Sequence, residues 1–160
     1  MRKVLLVTVS ALMTGVLVEV GASATVEATT SVKRVATVRI STRTLPKLGT
    51  VLVNSTGRTL YMFVPDKRRK VTCVRTCAAV WPPVKLARGQ KAGAFGRAKA
   101  SLLGSDPDPA GGRVVTYAGW PLYTYVADRS PGMAKGQALN LNGGLWYVLA
   151  PSGRVIRKKL

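Results

Sequence analysis

Histidine is absent from this 160-residue chain, and only six residues are Asp or Glu against 25 Lys or Arg. The missing imidazole excludes Ser-His-Asp and Cys-His nucleophile systems, histidine-ligated zinc and blue copper, and the Cys-x-x-Cys-His haem attachment. No carboxylate pair is spaced closely within one motif, so acid–base hydrolysis also lacks its usual parts. The expectation is a non-enzymatic protein with no cofactor and no metal. Long apolar runs are missing too. The longest, residues 4–18, would reach only about 22 Å as a helix against a hydrocarbon core of about 30 Å. Beyond residue 24 no stretch holds a helical period, which leaves strands as the main element.

That short apolar run sits between Arg2-Lys3 and the small triplet Ala22-Ser23-Ala24, the layout of a cleavable secretory signal over residues 1–24. Removing it leaves a formal charge of +18 on the exported part, compared with +19 for the whole chain. Secretion or residence in the cell envelope follows, with no transmembrane anchor after processing. Residues 25–44, rich in Thr, Ser, Val, Arg and Lys, read as a flexible spacer. An early strand over residues 35–40 is the alternative. A single β domain is expected over residues 45–157.

Inside that domain the sequence repeats itself. Residues 52–66 (LVNSTGRTLYMFVPD) and 114–128 (VVTYAGWPLYTYVAD) align without a gap at an offset of 62, with six identities in fifteen positions, where unrelated segments share about one. Trp81 and Trp146 extend the match. Repeat one spans about residues 49–84 and repeat two about 100–151. In each, a short apolar strand runs into a turn containing Gly57 or Gly119 and then into an aromatic, β-branched strand, which is a hairpin. Leu145 to Leu149 supply a third strand. Val80-Trp81 fit that role less well, because Pro82 and Pro83 cannot donate to a ladder. Residues 102–103 should pair with 113–117 across the turn at residues 106–112, and residues 89–99 read as a surface connection. The fold class is mostly β: two tandem β-hairpin repeats packed as a pseudo-symmetric antiparallel sheet or small sandwich, with at most one short helix near residues 76–81. Leu60, Leu122, Trp81, Trp146 and the motif aromatics are the candidate core.

Both repeats carry Tyr-x-aromatic-x-x-Asp, as Tyr61, Phe63, Asp66 and as Tyr123, Tyr125, Asp128. With the Cys73-to-Pro83 segment (CVRTCAAVWPP) and the closing Leu145-Trp146-Tyr147-Val148, the chain resembles the bacterial secreted-repeat family, also described as predicted lipoproteins with a conserved Tyr-x-(Phe/Trp/Tyr)-x-x-Asp motif. The resemblance implies an extracytoplasmic domain of unassigned function. The chain departs from lipoprotein members in having no cysteine near residue 24.

Strand alternation puts Tyr61 and Phe63 on one face and Met62 and Val64 on the other, and likewise Tyr123 and Tyr125 against Thr124 and Val126. Asp66 and Asp128 then fall just past a strand end, where an Asx-type turn is the ordinary role. Two carboxylates converging on a cation is the sharper alternative, and too few oxygens for calcium unaided. Cys73 and Cys77, alone in an exported chain, are expected to form a disulfide. The other reading is a redox or metal-handling accessory built on these cysteines or on the Tyr/Asp motifs. The basic run Lys67, Arg68, Arg69, Lys70 and the C-terminal Arg154, Arg157, Lys158 and Lys159 outnumber every available carboxylate. They point to anionic partners such as wall teichoic acid, lipopolysaccharide, lipid head groups or extracellular nucleic acid, with no specific nucleic-acid motif present.

Overall fold

The computed structural model describes residues 36–66 and 70–160. Ten strands are linked by turns and joined by one short helix: β1 (Val38–Leu45), β2 (Gly49–Val53), β3 (Tyr61–Phe63), α1 (Thr76–Val80), β4 (Lys85–Leu86), β5 (Ala92–Ala94), β6 (Leu103–Pro107), β7 (Arg113–Tyr117), β8 (Trp120–Pro121), β9 (Asn140–Leu141) and β10 (Gly144–Val148), with a 3-10 turn at Ala100–Leu102. Pairing is antiparallel throughout except where β5 joins β1 in parallel. The mostly β fold class and the single helix agree with the sequence reading. So does the β6–β7 hairpin, whose turn is tied by Asp108 accepting the Ala110 N–H at 2.9 Å.

The early boundary differs. Val38–Leu45 is a full strand paired with β2 from Ser41↔Val53 to Leu45↔Gly49, so the part of residues 25–44 read as a spacer contributes structure from residue 38 onward. The earlier residues, including the signal at residues 1–24, lie outside those described. Period-2 reading reaches only the start of β1, as the alternative strand over residues 35–40, because its two fully buried positions, Ile40 and Leu45, are five residues apart and enter different cores. Apart from the half-buried Val38, the remaining positions are hydroxyls and cations. Within residues 89–99, read as a surface connection, β5 adds a third strand beside β1.

The last strand segment of each repeat crosses to the other repeat. In repeat one, β3 pairs with β10 of repeat two, Phe63 opposite Trp146 and Tyr61 opposite Val148. The mirror exchange occurs at residues 80–84 of repeat one, where Val80 and Pro82 carbonyls accept the N–H groups of Val126 and Thr124 at 3.1 and 2.9 Å. The two prolines thus sit in a ladder after all, because the segment serves there chiefly through its carbonyls, which proline keeps. The two halves meet at Tyr61 and Tyr123, whose backbones exchange N–H···O bonds of 2.9 and 3.0 Å. A pseudo-twofold axis passes between them.

The symmetry also corrects the alignment. Leu60 donates to the Leu52 carbonyl, while Leu122 donates to that of Val115. The offset is therefore 62 from Gly57/Gly119 onward but 63 in the preceding strands. One extra residue lies in the turn of repeat one, where Asn54 Oδ1 accepts the N–H groups of Thr56 and Arg58 at 3.0 and 2.9 Å. Repeat two closes instead with the two-residue turn Ala118-Gly119, both at positive φ, between Tyr117 and Trp120. Two apolar clusters result, one on each face of the central strands. Tyr61, Phe63, Trp81, Tyr123 and Trp146 occupy the first, and Leu52, Leu60, Met62, Val115 and Leu122 the second.

Candidate functional site

The motif residues converge across the pseudo-twofold axis, in a connectivity that neither motif contains by itself. Tyr61 Oη donates to Asp128 Oδ2 at 2.5 Å, and Tyr123 Oη donates to Asp66 Oδ2 at 2.6 Å. The tyrosine of each repeat is held by the carboxylate of the other. The remaining oxygen of each carboxylate ties down the loop that follows it. Asp66 Oδ1 accepts the Thr72 N–H and hydroxyl at 2.7 and 2.6 Å, and Asp128 Oδ1 accepts the Lys135 N–H at 2.9 Å. Neither is the two-residue Asx turn expected from sequence, since these partners lie six and seven residues away. All four side chains are fully buried.

Burial acts on these acids in the direction that disfavours charge. Desolvation, joined by the facing carboxylate, pushes both phenols far above the usual tyrosine range. Desolvation also raises Asp66, against the opposing pull of its Thr72 and Tyr123 hydrogen bonds. Every oxygen of the two motif carboxylates is engaged by a protein donor. Among the described residues no cluster of three or more Cys, Asp or Glu is placed to hold a metal ion.

The second aromatic of each motif completes a stack. Phe63 lies on Trp146 (4.1 Å between centroids), Trp146 on Trp81 (3.9 Å, 3° between planes) and Trp81 on Tyr125 (4.1 Å). Tyr61 and Tyr123 meet the two tryptophans edge-on. Four rings drawn alternately from the two repeats therefore form one column, each neighbouring pair stabilising the fold by about 0.5–1.5 kcal/mol beyond its burial. Gly136 passes so close that a Cβ there would lie 2.6 Å from the Trp81 ring, which is why only glycine fits.

Cys73 and Cys77 are joined, and both are buried. The bond sits directly after Thr72, so it stiffens the loop that Asp66 anchors. Of the basic run, Lys67, Arg68 and Arg69 lie outside the described residues, and Lys70 is exposed. The carboxylates show the complementary pattern. Asp66, Asp106, Asp108 and Asp128 are all buried, Asp108 meeting Lys85 at 2.9 Å, and no other Asp or Glu occurs among the described residues. Exposed charge on the described surface is thus of one sign. The sequence did not single out Arg39 and Arg43 on β1, although their alternation with Ser41 is visible in it; placing them in a spacer hid them.

The geometry defines a duplicated β domain whose repeats exchange strands, aromatic rings and hydrogen-bond acceptors. A family described as "secreted repeat of unknown function" matches residues 42–85 and 106–150, and the chain belongs to it. No curated protein and no solved structure matches the chain. Among the described residues no helix is long and apolar enough to cross a membrane.

Proposed function

We propose that this secreted repeat protein is a non-enzymatic domain of the cell envelope or its surroundings that binds anionic surface polymers through its cationic exterior. The observation that supports this most is the sorting of charge. All four carboxylates among the described residues are buried, Asp108 against Lys85, while Asp66 and Asp128 hold the two repeats together. A surface of one sign raises the local concentration of polyanions and steers their approach. The motif residues are meanwhile consumed by the architecture, which fits a scaffold better than a reaction centre.

The test is binding of polyphosphate to the full exported chain across a salt series. Affinity should fall steeply as salt rises, and the K67Q/R68Q/R69Q/K70Q variant should bind more weakly with a shallower salt dependence. An affinity indifferent to salt would refute the electrostatic reading.

A further inference from the structure

The duplication supplies an internal comparison of two copies of one surface groove. In repeat one a groove of about 370 Å³ runs between β1 and the turn that follows β2, lined among others by Arg39, Ser41, Arg43, Ser55 and Thr56. In repeat two the pseudo-equivalent groove, about 320 Å³, carries Leu102, Gly104 and Asp106 at the positions of Arg39, Ser41 and Arg43. The fold therefore accepts a leucine, a glycine and an aspartate where repeat one has two arginines and a serine. Nothing in the packing requires the cations.

Both arginines are exposed yet braced. The Arg39 guanidinium lies over the Phe95 ring at 3.6 Å from its centroid, and Arg43 packs against Gly57, where a Cβ would lie 3.3 Å from its Nη2. No carboxylate among the described residues pairs with either. The opposite wall is fixed in advance by Asn54, whose Oδ1 also accepts the Thr56 hydroxyl at 2.8 Å. Because they are four residues apart on one face of a strand, the arginine Cα atoms are separated by about 13 Å. Each guanidinium is braced at its own point along the strand, Arg39 on Phe95 and Arg43 beside Gly57, so the groove offers two separate anchors that phosphates of one chain can engage together. Ser41 and Ser55 add hydroxyls to the same lining.

Resting on the anionic-polymer reading above, we infer that this groove is a binding site for a linear polyol phosphate, its arginines taking consecutive phosphodiesters and its hydroxyls the intervening polyol. A concave groove with no exposed large hydrophobic residue in its lining favours a strand-like ligand over a bilayer surface.

The experiment uses the full exported chain and a glycerol-phosphate oligomer at low salt, with inorganic phosphate and phosphatidylglycerol vesicles as separate arms. Charge-assisted hydrogen bonds of this kind predict a loss of about tenfold or more in R39Q/R43Q, against less than about threefold in the charge-matched control R88Q/K99Q, whose side chains are exposed and outside the groove, with thermal melting unchanged in both. Weaker binding of inorganic phosphate than of the oligomer supports the site, because a chain can engage the two arginines through separate phosphates. Equal losses in the two variants overturn the groove while leaving polyanion binding standing. Vesicle binding without oligomer binding overturns it in favour of a lipid surface. No oligomer binding by the parent, with polyphosphate still bound, overturns the ligand assignment alone; no binding of either removes the underlying reading as well.

Discussion

Tyr61 and Tyr123 hold the structure together at its most symmetric point, and their chemistry makes the hold sensitive to alkali. Replacing either by Phe leaves a buried aspartate without one of its donors. Hydrogen bonds to charged groups of this type contribute about 1.5–3 kcal/mol, so Y61F and Y123F should each lower the urea unfolding free energy by about that amount, and by similar amounts because their surroundings are related by the pseudo-twofold. The pH dependence has a definite sign. Both phenols are raised in the folded state above the unfolded value of 10.0, so their contribution is complete below pH 10 and is lost as pH rises beyond it, while the unfolded chain releases protons that the folded chain keeps. The slope is about 1.4 kcal/mol per pH unit for each tyrosine. Phenolate absorbance near 295 nm from Tyr61 and Tyr123 should then arrive only with unfolding; a phenolate signal from either before unfolding, assigned by its loss in Y61F or Y123F, would contradict the buried pairs. The residue types of this centre were legible in the sequence, because duplication marks them. Their pairing was not, since a motif read along one strand suggests local bonds, and the carboxylate's second partners, Thr72 and Lys135, lie outside both motifs.

At the scale of elements, α1 and the disulfide show how a weak local unit is made useful. Five residues cannot sustain a helix in water. Here the Cys73–Cys77 bond closes a turn through Arg75, which adopts a positive φ of 53°, and the Trp81 N–H donates to the Cys77 carbonyl at 2.8 Å. The turn thereby aims Trp81 into the stack. Closing a loop this short contributes about 2 kcal/mol on the chain-entropy account. The C73A/C77A protein should therefore remain folded but unfold at lower urea, by about that free energy, whereas loss of all near-UV dichroism would mean the bond defines the fold. Because both sulfurs are buried, reductant should act on the parent only under conditions that open this loop. The disulfide and short helix were legible from the only two cysteines and the break in strand pattern. Strand β1 was legible only at its start. Tertiary pairing with β2 and β5 overrides a sequence of hydroxyls and cations that has no regular buried face, and the proline-bearing segment was undervalued because its carbonyls, not its missing N–H groups, carry the pairing.

The whole molecule differs from two hairpins packed side by side, and the difference is one that sequence self-similarity cannot reveal: a repeat fixes what each unit contains and leaves open which unit supplies each neighbour. Repeat one lacks a partner for β3 without β10, an acceptor for the buried Tyr61 hydroxyl without Asp128, and a face for Trp81 without Trp146. Repeat two lacks the corresponding three things. Each unsatisfied buried hydroxyl would cost about 1–3 kcal/mol, a large share of the marginal stability of so small a unit. Two peptides divided in the segment between Gly96 and Lys99, residues 25–97 and 98–160, should therefore each lack near-UV dichroism alone. Mixed in equal amounts they should recover the signal of the stacked Trp81–Trp146 pair, with a melting temperature that rises with concentration as association requires. A Y61F first peptide should reassociate more weakly with its partner, and a Y123F second peptide should do the same, because each substitution removes a bond that crosses between the pieces. Cooperative folding of either peptide alone would show that the exchange of strands is dispensable, and with it the reason for each motif to carry both a tyrosine donor and an aspartate acceptor.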